Sequence, residues 1–103
     1  MDRIGKLEDL LDKQPGDSFL QHALALEYIK RGDDVKAREL FEQILKNEPS
    51  YTGSYYHLAK LLERTGDTGH AIEIYRMGME QALVAADHKN YQELKAAYDE
   101  LTL

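Results

Sequence analysis

No cysteine occurs among the 103 residues. That removes disulfides, thiolate metal sites and cysteine nucleophiles together, and it fits a reducing, cytoplasmic setting. Only two prolines interrupt the chain, and valine and threonine are too sparse to build several strands. No apolar run approaches the roughly 18 residues that a membrane span requires, and the polar opening around Asp2, Arg3 and Lys6 leads into none, so secretion and membrane insertion are disfavoured. A basic pole is lacking as well. The formal charge is -6; eight basic against eleven acidic residues in 1–49, and five against eight in 50–103, leave -3 in each half and no surface for a phosphate backbone. What is plentiful is Ala, Leu, Glu and Lys, all good helix formers. An all-α chain forming a single domain over 1–103 is expected.

The chain repeats itself at an offset of 34 residues. Leu24 and Ala25 recur as Leu58 and Ala59, Gly32 and Asp33 as Gly66 and Asp67, Ala37 as Ala71, and Glu39 as Glu73. The similar pairs Phe41 with Tyr75 and Leu45 with Met79 keep the same register, as do Pro15 and Pro49. A helical hairpin accounts for these residue types. Leu24 with Tyr28, and Leu58 with Leu62, are i, i+4 pairs on one helical face, and Ala25 and Ala59 are small enough to let a second helix approach. Gly32 and Gly66 suit a left-handed cap, after which Asp33 or Asp67 begins the next helix. Ala37 and Ala71 face the small residue of the first helix, Phe41 and Tyr75 fill the wider gap beyond, and Pro49 cannot continue the helix.

This series resembles the tetratricopeptide repeat over residues 18 to 85. Leu24, Ala25, Tyr28, Gly32, Ala37, Phe41 and Pro49 match its pattern in the first unit, and Tyr55, Leu58, Ala59, Gly66, Ala71 and Tyr75 match it in the second. Three positions depart: Gln21 holds the large aromatic position, Gly78 replaces a small alanine, and Leu83 replaces the closing proline, which implies a longer final hairpin helix. The resemblance implies antiparallel helical hairpins stacked as a short solenoid, with a half repeat at 2–14, repeats at 18–51 and 52–85, and a capping helix at 88–102. Residues 2–14 carry Ile4, Leu7, Leu10 and Leu11 on one side, and Arg3, Lys6, Asp9, Asp12 and Lys13 supply a polar outer face. Tyr91, Leu94, Tyr98 and Leu101 form the stripe of the last helix. Its spacing copies a first helix after two extra residues, with Lys95 where a small residue is expected, so no further hairpin is expected to pack there. Helices are therefore expected near 2–14, 17–31, 34–47, 51–65, 68–86 and 88–102.

In the family the first helices of successive repeats line a concave groove. The resemblance assigns Phe19, His22, Ala23, Leu26, Ile29 and Lys30 to it from the first unit, and Gly53, Tyr56, His57, Lys60, Glu63 and Arg64 from the second. An apolar half beside a charged, tyrosine-bearing half would suit an amphipathic helix or an extended peptide with one acidic anchor. Were the last helix to fold over these positions, they would be ordinary core. The family's grip on a partner's C-terminal carboxylate needs lysine, asparagine and arginine where this chain offers His22, Leu26, His57, Lys89 and Glu93. Docking of heat-shock chaperone tails is therefore not expected.

Other chemistry finds little support. His22 and His57 invite a metal or general-base reading, yet no third ligand completes the set, and His70 and His88 sit near helix starts elsewhere. Ser18, Ser50 and Ser54 read as helix starts rather than nucleophiles, and the isolated glycines form no phosphate cradle. Among the tyrosines clustered at 51–56, Tyr55 holds a core position, leaving Tyr51 and Tyr56 as interface candidates. The reading is of a non-enzymatic adaptor or scaffold that binds a protein or peptide partner, with no catalytic residue, no metal and no cofactor. The competing reading is homodimerisation through the terminal helices, carried by Ile4 and Leu10.

Overall fold

The computed structural model describes residues 2–103; Met1 of the expected 1–103 domain lies outside them. Six helices and no strand occur among these residues: α1 (Arg3–Lys13), α2 (Ser18–Lys30), α3 (Asp34–Asn47), α4 (Gly53–Arg64), α5 (Thr68–Val84) and α6 (His88–Thr102). Each lies within two residues of its expected span. Two ends differ for identifiable reasons. α4 starts after Thr52, whose hydroxyl does not cap its own helix but donates to Asp87 at 2.9 Å. α5 stops before 86 because Ala86 takes a left-handed φ of 55°. At 17 residues, α5 exceeds the 14 of α3, the lengthening expected from Leu83 in place of proline.

Helix boundaries follow one local code. Asp2, Asp17, Asp33, Asp67 and Asp87 each accept a backbone N–H of the first turn, satisfying a donor that the helix itself leaves open. Gly32 and Gly66 adopt φ of 82° and 89°. The following Asp33 and Asp67 amides donate back to Tyr28 and Leu62 carbonyls at 2.9 and 2.8 Å, closing each helix end. The turn from α5 to α6 has the same form, with Asp87 N–H donating to the Ala82 carbonyl at 2.8 Å. There an alanine holds the position that glycine holds elsewhere.

The chain divides into two compact units, one ending at Glu48 and the other running from Pro49 to Leu103. In the first, α2 and α3 form a hairpin and α1 packs on α2. Ala25 and Ala37 are fully buried, as are Phe41 and Ile44, while Ile4 and Leu7 of α1 are buried with Leu24 and Tyr28. Arg3, Lys6, Asp9, Asp12 and Lys13 are exposed. Gln21 is buried and its Nε2 donates to the Pro15 carbonyl at 3.2 Å. The Ser18 hydroxyl donates to Glu48 at 2.8 Å, tying the start of α2 to the end of α3.

In the second unit α4 and α5 form the hairpin, with Ala59 and Ala71 fully buried, and α6 packs on both helices. The Tyr55 hydroxyl donates to the Pro49 carbonyl at 2.6 Å. Gln21 and Tyr55 are thus equivalent: 34 residues apart, each donates to a proline carbonyl 34 residues apart. This explains how glutamine replaces the aromatic residue in the first unit. Gly78 lies where α4, α5 and α6 converge; a Cβ there would stand 2.6 Å from Tyr55 Cβ and 3.0 Å from Leu94 Cδ1. Leu94 and Ala97 are the buried residues of α6, with Tyr91, Tyr98 and Leu101 half-buried beside them. Asp87 also accepts from Asn90 Nδ2 at 2.7 Å, and that amide donates to Thr52 Oγ1 at 3.2 Å, so the starts of α4 and α6 are joined by a closed triangle.

Two substitutions separate packing from backbone strain. Gly78→Ala gains roughly 1 kcal/mol of helix propensity but overpacks a site whose obstacle is a Cβ, at about 1–3 kcal/mol. A net loss on the order of 1 kcal/mol is expected. Ala86→Gly relieves a left-handed alanine that costs about 1–2 kcal/mol, offset by roughly 0.5–1 kcal/mol of glycine entropy, for a gain of about 0–1.5 kcal/mol. Urea unfolding midpoints at unchanged slope read both.

Candidate functional site

Two helical faces carry the residues expected to bind a partner, and they differ in character. On α2, Phe19 is 70% exposed. Its neighbours one and two turns on, Ala23 and Leu26, are half-buried, as are His22 and Ile29. The imidazole of His22 rests edge-on against the buried Phe41, with centroids 5.6 Å apart, so packing within the hairpin fixes its ring. Phe19, His22, Ala23 and Leu26 border a cleft of about 500 Å³. Arg3, Glu27 and Lys30 complete its lining.

The charged rim was only partly legible from the pattern. Glu27 is nearly buried and holds two cations, Arg3 Nε at 3.6 Å and Lys30 Nζ at 3.1 Å. The sequence pattern puts Arg3 on the outer polar face; it is exposed, yet it also lines the cleft. The signal that locates it is the 34-residue register, which sets Arg3 against Ala37 and Ala71, positions facing a first helix.

On α4 the expected residues are bound up with the packing of their own unit. Tyr56 is half-buried, with its ring 5.7 Å from His57 and 6.4 Å from Tyr75. Lys60 Nζ stands 5.6 Å from the Tyr56 centroid, a cation–π approach, and 3.6 Å from Glu63. Glu63 accepts the hydroxyl hydrogen of the buried Tyr75. Burial and that carboxylate push the phenol far above its ordinary range. Arg64 is exposed at the end of α4. His57 is half-buried, and desolvation lowers its pKa, opposed by the charge of Glu93 on α6. Sequence reasoning did not foresee the Glu63 to Tyr75 contact or the approach of Glu93.

Among the described residues, no three His, Cys, Asp or Glu gather as a metal site, and no helix is long and apolar enough to cross a membrane. His70 lies beside Asp67 at the start of α5, and the buried Ser18 engages Glu48.

A crystal structure of a tetratricopeptide repeat domain protein from Salinibacter ruber superposes with a TM-score of 0.80 at 38% identity, over 84% of this chain and 96% of that one. The chain belongs to the tetratricopeptide repeat family. A solution structure of a tetratricopeptide repeat domain protein from the same organism gives 0.81 at 39% identity, covering 84% and 88% of the two chains. A Bordetella parapertussis protein solved in solution shares the fold at a TM-score of 0.84 and 22% identity, over 99% of this chain and 89% of that one. No family model and no curated protein matches the sequence. Tetratricopeptide repeats expose helical faces for protein contacts, so membership supports a protein-interaction module in general.

The half-buried imidazole of His57 makes stability depend on pH. The folded pKa of His57 lies below the ordinary value of about 6.5. Above that pH both folded and unfolded chains are neutral at His57, and its contribution to stability is fully present. As pH falls below about 6.5 the unfolded chain protonates first, and stability is lost. His57→Gln should therefore flatten the decline of the urea midpoint between pH 7 and pH 5; an unchanged slope would show that His57 is not its source.

Proposed function

We propose that the chain is a non-enzymatic cytoplasmic adaptor that holds a helix or peptide of a partner protein on the exposed face of α2, with Phe19, His22, Leu26 and Ile29 as the contact. Tyr56, His57, Lys60, Glu63 and Arg64 form the corresponding set on α4, where Lys60 and Arg64 orient an acidic group. The observation that carries the reading is Phe19, an aromatic ring 70% exposed at the edge of a cleft with apolar and cationic sides. Exposed aromatic anchors beside a pocket are what interfaces use most. Rings packed within the unit and the engaged carboxylate of Glu63 make the α4 face the weaker candidate.

The homodimer reading has less support. Ile4, one of its two anchors, is 6% exposed and packed within its own unit, which leaves Leu10.

Affinity capture from the native cell, followed by amide-shift mapping of the recovered partner on the labelled chain, tests the adaptor reading. Phe19→Ala should weaken that partner by about 30-fold, the loss of a hot spot of ~2 kcal/mol. Val35→Asp, at an apolar residue 69% exposed on α3, should leave it intact. Equal losses from the two substitutions, or shifts confined to α3 and α5, would overturn the proposal.

A further inference from the structure

Internal repetition identifies what the cleft beside α2 is shaped to receive. The 34-residue register equates α1 with α3 and α5, the second helices of hairpins: Leu7 with Phe41 and Tyr75, and Leu11 with Leu45 and Met79. In turn α6 repeats α2 at an offset of 70 residues. Asp17 and Asp87 both cap, Leu24 and Leu94 are both buried, and Tyr28 and Tyr98 share a register. Hence α1 followed by α2 corresponds to α5 followed by α6. Beside α5 and α6 sits a third helix, α4, which packs on both. Glu93 of α6 faces His57 of α4, and Ala97 is buried nearby. The counterparts of Glu93, Ala97 and Glu100 on α2 are Ala23, Glu27 and Lys30. These three line the cleft, and no helix of the first unit covers them.

The charge at this seat selects its occupant. In both complete hairpins the first helix and the second each place an alanine at this position of the register, and all four are fully buried. On α1 the second-helix position is Arg3, whose side chain is 65% exposed, and Lys30 beside it is 75% exposed. Two cations share the one carboxylate of Glu27, so the seat keeps an excess positive charge that an arriving helix must answer. A second copy of this chain does not answer it. The copy's free helix, α6, carries Lys95 at the register of Ala25 and Ala59, and joining the two ends would bring Lys95 onto Arg3.

Building on the adaptor reading, we propose that the seat formed by α1 and α2 takes an amphipathic helix of a partner protein that completes the hairpin begun by α1. That helix bears an acidic residue where α2 and α4 bear Ala25 and Ala59. The acidic side chain pairs with Arg3 at a helix spacing wider than the buried alanines permit, and apolar residues one turn to either side meet Phe19, Ala23 and Leu26.

Two lactam-bridged peptides copying residues 53–64 test this, one carrying A59E and the other A59K, titrated into the ¹⁵N-labelled full chain at low salt. The expected result is binding of the A59E peptide at least about tenfold tighter than of A59K, as opposite against like charge at a partly buried position requires. Amide shifts should lie in α1 and α2, and the preference should reverse in Arg3→Glu, a substitution at an exposed residue whose folding circular dichroism checks. Equal binding of the two peptides, a preference untouched by Arg3→Glu, or shifts outside α1 and α2 overturn the proposal. So does failure of both peptides to bind; in that case the adaptor reading still stands or falls separately on the Phe19→Ala capture.

Discussion

The close packing of each hairpin around small residues, one fully buried alanine from each helix, sets everything else in this chain. Ala25 with Ala37, and Ala59 with Ala71, allow two helical backbones to approach until larger neighbours fill the gap around them. Each hairpin has a modest set of large buried side chains, Leu24, Tyr28, Phe41 and Ile44 in one and Tyr55, Leu58, Leu61, Leu62, Ile74 and Tyr75 in the other. Such small cores cannot tolerate a loose crossing, because dispersion attraction falls steeply with separation. The glycine and aspartate turns serve that packing by reversing the chain in two or three residues with their backbone groups satisfied.

Much of this architecture can be read from residue identities, since the constraints involved are local. A left-handed turn selects glycine, a helix start selects aspartate, and a close crossing selects alanine, so the 34-residue register reports them directly. Helix ends were less legible where a side chain serves a distant partner. Thr52 looks like a good cap for α4, but its hydroxyl is committed to Asp87, 35 residues away. Ala86 does not look like a residue for a left-handed turn, and only its place between α5 and α6 reveals it.

The candidate faces were legible as positions but not as environments. The pattern put Phe19, Leu26, Tyr56 and Lys60 on the first helices, and they lie on α2 and α4. Whether such a residue is open or occupied depends on the helix packed beside it. On α4 the neighbouring α5 supplies Tyr75, which donates to Glu63, and α6 brings the charge of Glu93 to bear on His57. Beside α2 no equivalent helix intervenes in its unit, so Phe19 stays in solvent and Arg3 turns toward Glu27. Salt-bridge geometry of that kind follows from the three-dimensional arrangement of long side chains, which periodicity alone does not specify.

The triangle of Thr52, Asp87 and Asn90 carries a consequence for how the second unit holds together. By lending its hydroxyl to the last helix, Thr52 leaves α4 with no side-chain cap of its own. Gly78 meanwhile lets Tyr55 and Leu94 meet across α5. The final helix is thus a structural member of its unit, with α4 anchored at its first turn through a residue that belongs to α6. Order in the middle of the sequence depends on its far end, and fraying of α6 would release the first turn of α4 as well.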